Sequence, residues 1–312
     1  MKTPPRILML LLLLGGCAQP DSSSSAPPAP IAGTEPSDAA WTQALLEHRE
    51  DNDEEFRTST TSPMAGAQRL TSDPAARVFL TRQDRTFALA YAPDPAAEMA
   101  VTREGATWSW EALGGDIACE VDGDAVASVS ALSGPAGCAI ADFHVSLYPG
   151  ADAVTFIVYD PERPEKTSFD HLLYYPPDRT FAIEAELQRF PEPDEIEMLT
   201  SQSLKKTFYR YARIKFQVDG EDHELTAFKY TLTGEGSESL FIPFRDATSG
   251  RETYGAGRFL DLEEPEGERF VLDFNRAYNP LCNYSPGFNC PIPPRENRLD
   301  LAIRAGELTY PH

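Results

Sequence analysis

The sequence lacks the short motifs that mark common catalytic sites. It contains no Gly-x-Ser-x-Gly elbow, no His-Glu-x-x-His pair, no phosphate-cradling Gly-x-x-x-x-Gly-Lys loop and no dinucleotide fingerprint between a strand and a helix. Histidine is scarce too, and the five histidines are scattered without paired spacing, which disfavours a zinc site. The sequence therefore names no reaction, and we expect neither a cofactor nor a metal.

Basic residues are few relative to acidic ones. The chain has 27 Lys and Arg residues against 49 Asp and Glu residues, which gives a formal net charge of −22. Such a surface repels nucleic acid phosphates, so we expect no nucleic acid partner. The same excess is also typical of an acidic coat that only keeps a protein in solution.

Long apolar runs are missing, and the unbroken run from Ile7 to Leu14 is too short to span a bilayer. It follows a cationic start and precedes small residues, as in a secretory signal. Leu14-Gly15-Gly16-Cys17 resembles the lipobox of bacterial lipoproteins, which implies cleavage before Cys17 and lipidation of its sulfur. An ordinary signal peptide with an accidental cysteine is the alternative. Ala18 is compatible with outer-membrane sorting, so we expect an exported, lipid-anchored protein, at the periplasmic or surface face, with the bilayer as a partner.

Cysteine is also scarce, with five residues in the chain. When Cys17 is assigned to the lipid, an even number remains, which in an exported chain predicts disulfides. Local pairing closes short loops and predicts the bonds Cys119–Cys138 and Cys282–Cys290. A zinc site is the competing interpretation.

Composition and periodicity divide the chain into five segments. Residues 1–16 are the predicted signal peptide, and 17–36, rich in Ser, Pro and Ala, are a flexible tether. Residues 37–64 contain a helix and its lead-in. Alternating apolar and polar residues between Gly- and Pro-rich turns predict a first β module over 65–165 and a second over 166–312. The predicted fold is mainly β: two consecutive antiparallel modules, sandwich or barrel-like, preceded by one helix.

Three predicted strands of the second module, over residues 253–262, 269–275 and 298–304, sort polar from apolar side chains. The inward positions are Phe270, Leu272, Phe274, Leu299, Leu301 and Ile303. The outward positions are Tyr254, Arg258, Asp273, Asn275 and Arg304. We expect the outward residues to form one polar face, with Glu307 just beyond it and the loop 277–297 folded over it.

The charges on this face allow several chemistries. Arg258 and Arg304 suit an anionic or planar ligand, because a guanidinium offers a rigid fork of donors. Alternatively, Asp273 and Glu307 neutralise them in structural pairs. The same two carboxylates could serve glycoside hydrolysis, although nothing in the spacing shows that they meet.

Two further stretches are polar, residues 245–250 and 296–297, and the first is either the mouth of a site or a hairpin loop. No catalytic residue is assigned. The candidate ligand-binding residues are Arg245, Asp246, Thr253, Tyr254, Arg258, Asp273, Asn275, Asn279, Glu296, Asn297, Arg304 and Glu307.

The C-terminal stretches Phe244-Arg245-Asp246, Asp273–Pro280, Glu296–Leu299 and Ile303–Glu307 together resemble the signature of the bacterial domain-of-unknown-function family 1684. The resemblance implies a β-rich fold and a bacterial origin, and it carries no activity. Relatives without export signals that share the cysteine pair keep a metal or reduced-thiol role for Cys282 and Cys290 open.

These observations lead to three functional hypotheses. The first is a cell-envelope lipoprotein that binds a small polar ligand or an envelope glycan through the polar face. The second is a hydrolase acting on envelope material. The third is a structural or interaction lipoprotein whose polar signature only stabilises the fold.

Overall fold

The computed structural model describes residues 37–115, 117–121, 124–126, 128–132 and 135–311. The predicted N-terminal helix is present as α1 (Asp38–Thr58), and the Ser37 hydroxyl caps it by accepting from the Ala40 amide at 3.3 Å. Only Leu45 and Arg49 of α1 are buried. No helix in these ranges is long and apolar enough to cross a membrane. The signal peptide, the tether and Cys17 lie outside the described residues.

The N-terminal half consists of short strands joined by tight turns. They are β1 (Gly66–Thr71), β2 (Arg77–Gln83), β3 (Thr86–Ala90), β4 (Ala97–Glu104), β5 (Thr107–Ala112), β6 (Ile117–Val121), β7 (Asp124–Val126), β8 (Ser128–Leu132), β9 (Ala136–Ile140), β10 (Phe143–Pro149) and β11 (Val154–Tyr159). They form two antiparallel sheets, in the orders β1-β11-β10-β9-β6-β7 and β3-β2-β4-β5-β8. Side chains from both sheets, including Leu80, Trp108, Val145 and Phe156, pack into one apolar core.

The register of β6 and β9 places Cys119 directly opposite Cys138. The two sulfurs are bonded, so the predicted disulfide is present. It lies at the end of the sheet away from β1 and joins neighbouring strands.

After the short helix α2 (Pro164–Thr167), longer strands build a third antiparallel sheet that curves into a half-barrel. These strands are β12 (Ala182–Leu199), β13 (Lys205–Val218), β14 (Glu221–Lys229), β15 (Ser239–Phe244), β16 (Arg258–Glu263) and β17 (Arg269–Asp273), in the order β16-β15-β14-β13-β12-β17. Asp219 and Gly220 both have positive φ and make the tight turn between β13 and β14. The prediction of a mainly β chain with one N-terminal helix is confirmed.

The chain beyond β17 forms no further strand in the described residues and lies across the half-barrel. It is built from 3-10 turns at Phe274–Arg276, Leu281–Asn283 and Arg295–Asn297, with extended chain between them. Phe274, Leu299 and Ile303 are buried in the half-barrel core, as their predicted inward orientation requires. This segment carries most of the candidate residues, so its path decides how they are arranged.

Candidate functional site

Arg258 is buried at the start of β16, with an exposed fraction of 0 %. Its guanidinium donates to the carbonyl of Ile303 at 2.8 Å, to the carbonyl of Ala305 and to the carbonyl of Glu307 at 3.3 Å. Its Nη2 also lies 3.5 Å from the carboxylate of Asp246, which is equally enclosed. The side chain therefore stabilises the C-terminal segment instead of facing an outside ligand.

Asp246 organises the loop that leads to β16. Its carboxylate accepts from the Ile303 amide at 2.8 Å and from the Thr248 hydroxyl at 2.8 and 2.9 Å. The Thr248 hydroxyl in turn lies 2.9 Å from that of Thr253. Because these side chains occupy the inside of the loop, β16 begins at Arg258, and the expectation of a strand from residue 253 is wrong.

The side chains of two asparagines bind backbone groups of neighbouring segments. The Asn297 amide donates to the carbonyls of Thr226 and Pro243 at 2.8 and 2.7 Å and accepts from the Thr226 amide at 2.7 Å. Asn275 makes the equivalent pair of bonds to the backbone of Asp178, at 2.9 and 2.8 Å. Both side chains hold neighbouring segments together.

The remaining charged candidates pair at the surface. Arg304 makes a two-pronged ion pair with Glu252, with both distances 3.0 Å. Glu296 pairs with Arg210 at 2.9 Å, and Arg245 is bridged to the 297–299 segment by its backbone. Asp273 accepts from the Trp41 indole at 2.9 Å, which joins β17 to α1.

The expected common face of Tyr254, Arg258, Asp273, Asn275 and Arg304 is therefore not formed. The strand predicted over 269–275 ends at Asp273, because the Asp273 carboxylate accepts from the Asn275 amide at 3.0 Å and starts a 3-10 turn. Residues 298–304 are not a strand either: the Ile303 backbone binds the side chains of Arg258 and Asp246, and Leu299 and Leu301 bond to the backbone of the loop after β15.

A different set of candidates does come together, around the carboxyl of Glu307. Its Oε2 accepts from the Asn279 amide at 2.7 Å and from the Tyr284 hydroxyl at 2.6 Å, and only 3 % of the residue is exposed. Burial raises the pKa of Glu307 to about 7, against the lowering effect of these hydrogen bonds and of Arg258. The buried carboxyl therefore holds its proton to a higher pH than an ordinary glutamate does.

Three further residues, Arg49, Tyr174 and Asn283, complete the surroundings of this carboxyl. Arg49 of α1 lies over the ring of Tyr174 at 4.4 Å, and Tyr174 pairs through its backbone with Glu307. Asn279 donates to the Leu308 carbonyl at 2.7 Å. We refer to the following residues as the Glu307 cluster: Arg49, Tyr174, Asn279, Asn283, Tyr284 and Glu307.

Several polar atoms of the Glu307 cluster have no hydrogen-bond partner of normal geometry within the described ranges. They are Arg49 Nε, Tyr174 Oη, Asn279 Oδ1 and Asn283 Nδ2. An enclosed polar atom without a partner costs about 1–3 kcal/mol, so buried groups of this kind normally bind each other, water or a ligand. The cluster is therefore equipped to bind a polar molecule that is not part of the chain.

Sequence reasoning missed four of these six residues. Asn283 and Tyr284 could have been found, because the stretch 278–284 is dense in Asn and Tyr. No sequence signal marks Arg49 or Tyr174, which reach Glu307 from α1 and from the chain before β12.

Cys282 and Cys290 lie in the same C-terminal segment, and the structure has both as free thiols, not as the predicted disulfide. The sulfur of Cys290 accepts from the Cys282 backbone amide at 3.1 Å, and the Tyr254 hydroxyl lies 3.7 Å from the sulfur of Cys282. A hydrogen bond from Cys290 lowers the pKa of the Cys282 thiol, and Tyr254 and Ser201 act in the same direction. Across the described residues, no group of three or more His, Cys, Asp or Glu is arranged to hold a metal ion.

Comparison with known proteins gives a family for the C-terminal part of the chain. Residues 167–308 match the family model described as "Protein of unknown function (DUF1684)". No curated protein matches the chain. Among solved structures, the chain is similar to an uncharacterized protein of Haloarcula marismortui determined by solution NMR, with 38 % sequence identity, 48 % of this chain and 83 % of that chain covered, and a TM-score of 0.40. The matched residues 167–308 include the Glu307 cluster except Arg49.

Proposed function

We propose, starting from the family match over residues 167–308, that this protein is a lipid-anchored envelope protein that binds a small polar ligand in the Glu307 cluster. The observation that carries the proposal is the set of enclosed polar atoms, on Tyr174, Asn279 and Asn283, that make no hydrogen bond of normal geometry within the described residues. A fold gains nothing by burying such atoms beside an enclosed carboxyl unless something else binds them.

The chemistry of the cluster indicates the class of ligand. Asn279 offers an acceptor, Asn283 a donor and Tyr174 a hydroxyl that can do either. Glu307 can also donate or accept, since its pKa is raised to about 7 by burial. A neutral molecule rich in hydroxyl or amide groups, such as a sugar unit of an envelope glycan, matches these groups better than an anion does.

The cluster is closed from one side by α1, which supplies Arg49. This helix is attached to the rest of the fold by several polar contacts, among them Arg49 to the Tyr175 carbonyl at 2.9 Å, Arg57 to the Asp170 carbonyl at 3.0 Å and Lys166 to the Phe56 carbonyl at 2.8 Å. Entry of a ligand from this side would require contacts of this kind to break.

We expect Tyr174→Phe to weaken ligand binding about tenfold with little change in the free energy of unfolding, because its hydroxyl makes no hydrogen bond of normal geometry within the described residues. The measurement is calorimetric titration of the full chain with N-acetylglucosamine and with soluble cell-wall glycan fragments. Tyr209→Phe, on β13 and outside the Glu307 cluster, is the matched control and should bind as the native chain does.

Two results would contradict the proposal. In the first, no probe binds the native chain, and its thermal transition is the same with and without every probe. The polar atoms of the cluster would then be bound by buried water and not by a ligand. In the second, Tyr174→Phe binds as tightly as the control, which would place the ligand elsewhere.

The proposed anchor has its own test. We expect the native chain, expressed in a bacterial host, to sediment with membranes and to incorporate a labelled fatty acid, and we expect Cys17→Ala to do neither. An ordinary signal peptide with an unmodified cysteine would instead leave both proteins soluble and unlabelled.

A hydrolytic activity is the second candidate function, and the pKa of Glu307 favours it, since an acid or base near neutrality suits proton transfer. The Asp273 carboxylate is already bonded to Trp41 and Asn275, which commits it to holding α1 and the 3-10 turn. Glu307→Gln would separate the candidates, because it abolishes turnover of a glycan substrate but keeps most of a binding site.

A further inference from the structure

The thiols of Cys282 and Cys290 occupy a second polar site, separate from the Glu307 cluster. Cys290 is held by its backbone against the end of β12, where its amide donates to the Ser201 hydroxyl at 3.2 Å and its carbonyl accepts from the Ser201 amide at 2.8 Å. Cys282 lies in the 3-10 turn Leu281–Asn283. Because Cys290 Sγ lies 3.1 Å from the backbone nitrogen of Cys282, the two thiols are neighbours.

The two thiols differ in exposure. Cys282 is half-buried, whereas Cys290 is buried, with 7 % of the residue exposed. In a pair that exchanges with outside disulfides, the reachable sulfur makes the first attack and the buried one completes the reaction. This difference in exposure gives the two cysteines different roles.

Hydrogen-bond donors and cations surround the pair. The Tyr254 hydroxyl is 3.7 Å from the Cys282 sulfur. Lys206 and Arg69 both lie close enough to Cys290 for their positive charges to interact with its sulfur. Donors and cations of this kind stabilise a thiolate, which is the reactive form of cysteine. The hydrogen bond between the thiols lowers the pKa of Cys282 and raises that of Cys290, so Cys282 loses its proton first.

We propose that Cys282 and Cys290 are a redox-active dithiol that reduces disulfide substrates, with Cys282 as the attacking and Cys290 as the resolving sulfur. This site does not depend on the ligand proposed for the Glu307 cluster. In this proposal the two cysteines are redox-active thiols, whereas the sequence predicts a structural disulfide between them.

The reaction balances with the substrate disulfide as the oxidant. The Cys282 thiolate attacks R–S–S–R′, a Cys282–S–S–R bond forms, and the R′ thiolate leaves and takes a proton. Cys290 gives up its proton and attacks the Cys282 sulfur, which forms the Cys282–Cys290 bond and releases the R thiolate. The protein pair loses two electrons and two protons, and the substrate becomes two thiols.

The experiment uses the full chain with Cys17→Ser, so that the cysteine of the signal region does not react. The protein is treated with a mild reductant and exposed to glutathione disulfide, and the products are mapped by peptide mass spectrometry. We expect a Cys282–Cys290 disulfide in the parent protein, a stable glutathione adduct on Cys282 in Cys290→Ser, and no adduct in Cys282→Ser. The Cys119–Cys138 bond, in the same sample, reports whether the reductant has attacked a structural disulfide.

The variant Tyr254→Phe tests whether the Cys282 thiol has a reactive role or a merely structural one. Removing the hydroxyl should shift the pH profile of Cys282 alkylation by iodoacetamide to higher pH, because the thiolate loses a donor. The melting temperatures of the three variants, measured alongside, show whether each is folded.

Two substrates, glutathione disulfide and insulin, distinguish a small-molecule disulfide from one within a polypeptide. Reduction of glutathione disulfide alone indicates that the substrate is a small molecule. Reduction of insulin as well indicates that the substrate is a disulfide within a polypeptide. The proposal is overturned if folded Cys290→Ser forms no adduct, if the adduct forms on Cys290 in Cys282→Ser at the same rate, or if neither substrate is reduced.

Discussion

Replacing Arg258 by methionine is expected to lower the free energy of unfolding by about 3–5 kcal/mol, because it removes one partner of an enclosed ion pair. The variant leaves the Asp246 carboxylate without its cation and leaves the carbonyls of Ile303, Ala305 and Glu307 without their donor. Methionine matches the length of the aliphatic part of the side chain, so the loss reflects the charge and the donors more than a cavity.

Urea unfolding followed by circular dichroism measures this effect, and the melting temperature should fall by about 10 °C. Arg304→Met is the matched control. Arg304 also pairs with a carboxylate, Glu252, but its side chain is 60 % exposed, so its removal should change the free energy by less than about 1 kcal/mol. A small and equal loss of unfolding free energy in both variants would show that Arg258 does not stabilise the C-terminal segment. Arg258 would then again be a candidate for ligand binding.

The second large effect is a dependence of stability on pH that one residue, Glu307, produces. In the unfolded chain this carboxyl titrates near its ordinary value of 4.5, whereas burial raises its pKa to about 7 in the folded protein. Between these values the folded state binds the proton more tightly than the unfolded state does. The contribution of Glu307 is therefore fully present below about pH 4.5 and is lost as the pH rises through about 7, a difference on the order of 3 kcal/mol.

Glu307→Gln should remove this dependence, since an amide keeps the acceptor for Asn279 and Tyr284 but does not ionise. The comparison is between unfolding free energies of the native chain and the variant from pH 5 to pH 8, and the difference between the two proteins should grow in favour of the variant as the pH rises. Glu252→Gln is the control with the opposite sign, because Arg304 and Tyr175 lower the pKa of Glu252, and stability from that group is lost as the pH falls. A native curve parallel to that of Glu307→Gln would contradict the prediction.

The two sets of variants separate the hypotheses for the polar signature. Arg258, Asp246 and Asn297 bind backbone groups of the C-terminal segment, so their loss should appear in stability. The Tyr174 hydroxyl makes no hydrogen bond of normal geometry in the described part of the chain, so its loss should appear in ligand binding. A signature that only stabilises the fold predicts the first outcome without the second.

Local patterns predicted the elements whose hydrogen bonds are also local. Alternation from Ala212 to Val218 and the turn at Asp219 and Gly220 correspond to β13, β14 and their connection. Ser37 caps the helix that its position predicts. Such features depend on neighbours a few residues away, which a single sequence displays.

Periodicity was misleading where side chains bind distant backbone. Residues 298–304 have the alternation of a strand, and Leu299 and Ile303 are buried as the pattern requires. The Ile303 backbone, however, is bonded to the side chains of Arg258 and Asp246, and Leu299 and Leu301 bond to the loop residues Arg245 and Ala247 instead of a neighbouring strand. No local pattern reports a hydrogen bond that spans 45 or 57 residues.

The sequence alone determined the β-rich class, the N-terminal helix and the stretch that holds the polar residues, because composition and period are properties of neighbouring residues. Only the tertiary structure decided which of those polar residues meet. It enclosed Arg258 with Asp246, brought Arg49 and Tyr174 to Glu307, and left Cys282 and Cys290 as adjacent thiols. The physical reason is burial: whether a charge, an amide or a thiol is paired, free or reactive depends on the surroundings that distant parts of the chain build around it.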